Sequence, residues 1–137
     1  MKLVIDTSVL IAAMLSNAVA LKIIDLLCTD DSMSWSISKS IYNEYKLIIN
    51  RDKFSFTMRQ KQYWKDLVKS NTVMEVTDND FHFSRDISDS KFIQLALSIH
   101  ADYLLTYDKL LLGADYKIET SIVEPEVFIS KYQIIEN

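Results

Sequence analysis

Asp6, Glu44, Asp89 and Asp108 are the side chains whose types and settings can do chemistry, because each is an acid placed against an apolar run. Carboxylates brought within a few ångströms of one another repel or take up protons, and the usual natural compensation is a hard divalent cation with oxygen ligands. If these four converge, Mg²⁺ or Mn²⁺ fits best. Cys28 is the one cysteine and His82 and His100 are the only histidines, so no cysteine/histidine zinc site can be built. Each acid also has an ordinary reading. Asp6 can cap a helix. Glu44 can pair with a basic neighbour such as Arg51, or snorkel outward. Asp89 suits a helix dipole whether or not it binds anything.

The elements that would position these acids are legible in the hydrophobic pattern. Leu3-Val4-Ile5 is a short continuous apolar run, as a parallel strand buried on both faces requires, and Asp6-Thr7-Ser8 follows with residues that begin helices. Asp6 therefore sits at a strand's carboxyl end, the edge where open α/β sheets bind ligands. Val9 to Leu15 reads as a helix, Ser16-Asn17 as a break, and Ala18 to Cys28 as a second helix. Met33 to Ile37 alternates in polarity as a short strand would, and Ser38 or Ser40 can cap the next helix, Lys39 to Asn50. That helix places Ile41, Tyr45 and Ile48 on one stripe with Glu44 at its border, facing the protein body.

Thr57 to Lys69 forms another helix with Tyr63, Trp64, Leu67 and Val68 inward, and Val73 to Val76 a short strand. Thr77 to Arg85 is the longest irregular polar stretch, of the kind that flanks binding sites. The segment Asp86 to Asp108 then repeats the logic of the first stretch. Ser88 can cap a helix, Asp89 falls in its first turn, and Phe92, Ile93, Ala96 and Leu97 form its buried face, with His100 near that face as a structural residue. Asp102 to Thr106 is a buried strand and Asp108 lies just past its end, repeating the position of Asp6. Asp102 begins that strand and so lies roughly 15 Å from the end that matters. Lys109 to Gly113 is a turn or short helix, Ile118 to Val123 a last strand, and Pro125 opens a closing helix.

Composition narrows the classes. At 137 residues the chain suits one domain, 1–137, and no apolar run approaches the roughly 18 residues of a membrane span, which points to a cytoplasmic protein with no membrane partner. The single glycine, Gly113, excludes dinucleotide and phosphate-loop fingerprints. A net charge of −4 argues against gripping nucleic acid by counterion release alone.

The motifs Val4 to Ala12, Ser40 to Tyr45 with Arg51 to Phe54, Asp86 to Ala96, Ala101 to Leu111 and Ile122 to Phe128, in this order and spacing, resemble the PIN-domain ribonucleases, in particular the toxin branch of toxin–antitoxin pairs (VapC-like). The resemblance implies a three-layer α/β/α domain with a central parallel sheet of about five strands. It also implies an endoribonuclease that cuts single-stranded or exposed RNA with Mg²⁺ or Mn²⁺. The family's acids fall on Asp6, Glu44, Asp89 and Asp108, with Asp86 as an outer acid and Thr7, Ser8 and Thr106 where the family carries supporting hydroxyl or amide groups. Ser8 replaces a frequent asparagine and Ser88 a frequent aspartate. Asp6, Asp89 and Asp108 would hold the cation, directly or through waters, with Glu44 completing or orienting the site for attack on the phosphodiester. Arg51, Lys53, Arg85, Lys91 and Lys109 are candidates for an RNA-binding rim and are equally well ordinary surface charges. A small antitoxin and a homodimer are the implied protein partners.

Two other readings compete. One is a catalytically silent PIN-like module that binds RNA or a partner. The other is a receiver-like signalling domain, which expects an acid pair near the first strand, a phosphorylatable aspartate ending a middle strand and a lysine at a later strand end; here no acid pair stands beside Asp6, Lys2 precedes the first strand, and the order does not fit.

Overall fold

The computed structural model describes residues 1–77, 87–113 and 118–136, with the backbone alone at 87–90 and 134–136. Five strands, β1 (Lys2–Ile5), β2 (Ser34–Ile37), β3 (Thr72–Met74), β4 (Tyr103–Leu105) and β5 (Ser121–Val123), form one sheet in the order β3-β2-β1-β4-β5. Every adjacent pair is parallel. Among the described residues seven α-helices connect or close them: α1 (Thr7–Met14), α2 (Ala18–Thr29), α3 (Lys39–Ile49), α4 (Met58–Asn71), α5 (Ile87–Ser98), α6 (Lys109–Gly113) and α7 (Pro125–Glu136). Parallel strands need such crossovers, and helices on both faces let β1 be apolar throughout: Leu3, Val4 and Ile5 are all fully buried although their side chains alternate between faces. The result is the three-layer α/β/α domain.

The chain leaves β1 for β2 on one side and reaches β4 from β3 on the other. The topological switch point therefore lies between β1 and β4, where open parallel sheets open a crevice at their carboxyl ends. Register places Leu3, Val4 and Ile5 beside Tyr103, Leu104 and Leu105, which sets Asp6 opposite Thr106. Asp102 lies at the other end of β4, where its carboxylate accepts the Lys2 backbone N–H at 2.8 Å, far from the crevice as its position in the strand requires.

Helix boundaries follow local chemistry. Asn17 caps α2 by accepting from Ala20 N, and Ser38, rather than Ser40, caps α3 by accepting from Ile41 N. Thr57 and Gln60 close a reciprocal capping box at the start of α4. The break at Ser16-Asn17 turns α1 and α2 through 106°, with Ser16 in the left-handed region at φ 70°. Among the described residues no single helix is long and apolar enough to cross a membrane.

Several expectations change. Ser36, read as the polar side of an alternating strand, is buried because β2 is an interior strand covered on both faces. Tyr63 is 60% exposed; α4 buries Trp64 and Val68 and leaves Tyr63 to solvent. His100 is exposed and terminates α5 at φ 52°, so it is a left-handed helix stop and not a buried residue. Helix α5 already includes Ile87, so Ser88 lies inside its first turn and not at its cap. The polar stretch 78–86, with Arg85 and Asp86, lies outside the described residues.

Candidate active site

Asp6 occupies the N-cap position of α1 with extended backbone (φ −64°, ψ 151°), yet its side chain makes no capping hydrogen bond. Its Oδ2 instead accepts the hydroxyls of Ser8 and Thr106, both at 2.7 Å. Each hydroxyl works in two directions. Ser8 Oγ accepts the Tyr107 backbone N–H at 3.0 Å, and Thr106 Oγ1 accepts that of Asp108 at 2.9 Å. The loop after β4 is thus fastened to Asp6 through two hydroxyls, because strand register brings Thr106 alongside. Asp108 sits two residues beyond that register partner, and its Oδ1 accepts the Leu110 N–H at 2.9 Å at the start of α6. Thr106, not Asp108, is therefore the positional counterpart of Asp6.

Asp6 is 4% exposed, and burial raises its pKa above the ordinary carboxylate value; the Ser8 and Thr106 hydroxyls oppose that shift and the charge of Asp108 adds to it. An anion so placed is balanced only by neutral donors among the described residues.

Glu44 reaches the same place from α3. Its Oε2 accepts the Thr7 hydroxyl, and its Oε1 accepts Lys91 Nζ at 2.7 Å, in an ion pair whose side chains are 23% and 20% exposed. The basic partner is Lys91 on α5 and not Arg51, which is exposed beyond the end of α3. The adjacent Tyr45 is fully buried and donates its hydroxyl to the Ile5 carbonyl while accepting Trp35 Nε1 at 3.4 Å. Burial, with the negative charges of Asp6 and Glu44 nearby, holds its phenol protonated and so keeps the donor. Tyr45 fixes α3, and with it Glu44, against the end of β1. The spacing of the stripe marked Tyr45 as core; its hydroxyl, one residue from an acid, was the available signal for this second task.

Asp6, Thr7, Ser8, Glu44, Tyr107 and Asp108 line one open cleft of about 420 Å³, with Ile11 and Ile48 as its apolar wall. A larger groove of about 680 Å³ runs between α2 and α4, lined by Leu21, Ile24, Trp64 and Leu67 with Asp25 and Asp66, and includes no residue at the carboxyl end of a strand. Chemistry rather than size selects the smaller cleft. Its donors are all oxygens, and Asp6 with Asp108 presents anionic charge that an ordinary water cannot balance, so the residues present suit a hard divalent cation. Among the described residues, however, no three acids, histidines or cysteines approach closely enough to close a metal site by themselves. The Asp89 side chain, the fourth acid of the set, lies outside the described residues. Of the rim cations, Lys53, Arg51 and Lys109 are exposed, whereas Lys91 is committed to Glu44.

A PIN-domain family model matches residues 2–110, from the first residue of β1 into α6. The chain belongs to the PIN-domain family. That membership sets aside the receiver reading, and it covers Asp6, Glu44, Asp89 and Asp108 alike. No curated protein matches the chain significantly. Among solved structures, this PIN domain is similar to a chain in the crystal structure of VapBC2 from Rickettsia felis bound to a DNA fragment from their promoter. The two share 15% identity with a TM-score of 0.60, over 90% of this chain and 98% of that one. At that identity the likeness concerns the fold.

Proposed function

We propose that this PIN domain is a divalent-metal-dependent endoribonuclease acting as the toxin of a toxin–antitoxin pair. The observation that carries the proposal is the gathering of Asp6, Asp108 and Glu44 around one open cleft at the switch point of a PIN fold. Mg²⁺ or Mn²⁺, held by Asp6, Asp108 and Asp89 with Glu44 beside them, would supply positive charge to a bound phosphodiester and acidify a water. The chain's own part is preorganisation. Ser8 and Thr106 fix the orientation of Asp6 before any ligand arrives, backbone amides fix the loop that carries Asp108, and Tyr45 holds α3 in place. Ser8 thereby does the supporting work for which the family often uses asparagine. Asp86 remains an outer acid of the proposal, and Arg51, Lys53, Arg85 and Lys109 its RNA-facing rim.

The likeness to a chain of the VapBC2 complex supports a small antitoxin as partner, with self-association and a cytoplasmic site of action as parts of the same reading. One observation favours a second reading, a module that binds without cutting: Glu44 is already neutralised by Lys91. The test is cleavage of a fluorescent single-stranded RNA panel in Mn²⁺, Mg²⁺ or EDTA, beside Asp6→Asn and Asp108→Asn. Cutting that needs the cation and falls by a factor of at least about 100 in both variants establishes the nuclease. RNA binding indifferent to EDTA, with no cutting, establishes the module.

A further inference from the structure

The three acids that line the cleft are not balanced alike. Among the described residues Asp6 is buried with neutral donors, the Ser8 and Thr106 hydroxyls foremost, whereas both oxygens of Glu44 are taken by donors of the chain itself, Thr7 on one and the Lys91 ammonium on the other. A cation approaching Glu44 must displace an ammonium at 2.7 Å; one approaching Asp6 displaces no cationic side chain among the described residues. Lys91 is also poorly placed for the rim, since its side chain is only 20% exposed and its Nζ points at a carboxylate. We propose that Lys91 is a positioning residue that withholds Glu44 from the divalent cation, so that the ion is held on the Asp6 and Asp108 side and Glu44 remains an oriented acceptor for Thr7 and the cleft. The role rests on the metal-dependent reading above and replaces the phosphate contact expected of this lysine.

The pair joins α5 to α3, and α5 also packs against β1 and β4, so Lys91 reaches Glu44 from an element fixed on the strands that carry the site. An arginine can keep the charge and the bond; a methionine keeps the stem and removes both. With Lys91 gone, Glu44 keeps the Thr7 hydroxyl on Oε2 while Oε1 is released at the cleft wall and becomes a ligand.

The experiment follows thermal unfolding of the full chain during Mn²⁺ titration, for wild type, Lys91→Met, Lys91→Gln, Lys91→Arg and the double variant Lys91→Met/Glu44→Gln. The expected result is an Mn²⁺ midpoint on the order of tenfold lower in Lys91→Met and Lys91→Gln. Lys91→Arg should return to the wild-type midpoint, and the gain should vanish in the double variant. RNA cleavage by Lys91→Met should show a reduced kcat with an unchanged KM. Equal or weaker Mn²⁺ binding in both neutral variants overturns the role of Lys91 alone, and a raised KM with a shallower salt dependence returns it to phosphate contact. No Mn²⁺ shift in any of the proteins overturns the metal site and the proposal with it.

Discussion

Thr106 shows how much a single hydroxyl can carry. It donates to Asp6 and accepts from the Asp108 amide while fully buried, so its removal strands one donor and one acceptor together. Thr106→Val keeps the shape and deletes both bonds; it should lower stability by about 1–3 kcal/mol in urea unfolding. Cleavage should fall with it, because Asp6 loses half of its fixed orientation and Asp108 loses its tether. A variant that unfolds at the wild-type urea midpoint and cuts at the wild-type rate would show that Ser8 alone suffices. The residue types were legible in the sequence, but the hydroxyls' double role was not, since it depends on which residue of β4 stands beside Asp6.

Element ends show the opposite balance. The start of α4 is written locally: Thr57 and Gln60 stand three apart and close a capping box with no help from the rest of the molecule. The end of α5 is not. The sequence puts His100 near the buried face as a structural residue, but the chain must reverse there to enter β4, and it does so in a left-handed conformation at φ 52° that an exposed histidine adopts at a cost. His100→Gly should therefore stabilise the protein by about 0.5–1 kcal/mol without changing cleavage. Urea unfolding checks it, and destabilisation would mean that the imidazole does work beyond ending the helix. Tyr63 misled for a related reason: helical spacing defines a face, but the neighbour across that face decides how wide its buried stripe is.

At the scale of the whole molecule, the acids make stability depend on pH and on cations. The folded state raises the pKa of Asp6, so it binds that proton more tightly than the unfolded chain does. Stability is thus lost as pH rises from the ordinary value of 3.8 through the raised one, and the loss persists above it. Asp30 acts in the opposite sense: hydrogen bonds from Ser32 and Tyr132 lower its pKa, and its contribution fades as pH falls. Comparing wild type with Asp6→Asn isolates the first effect. In EDTA at neutral pH the variant should melt higher by on the order of 3 °C, the difference should shrink toward acid pH, and saturating Mn²⁺ should reverse its sign. A variant that melts lower than wild type in EDTA at every pH would mean that its amide cannot replace the carboxylate between Ser8 and Thr106.

The order of elements and the nature of the site's donors follow from local pattern, because an apolar run such as Leu3, Val4 and Ile5, buried on two faces, demands a helix-covered parallel sheet and strand ends announce where acids can meet ligands. Strand length alone also separates Asp102 from Asp108. The partner of each acid, by contrast, is set by how distant elements meet in the fold. Strand register set Thr106 and not Asp108 beside Asp6, and the meeting of α3 with α5 gave Glu44 a lysine 47 residues away. Those choices are made by surfaces that touch only after the chain has folded, so no local pattern encodes them.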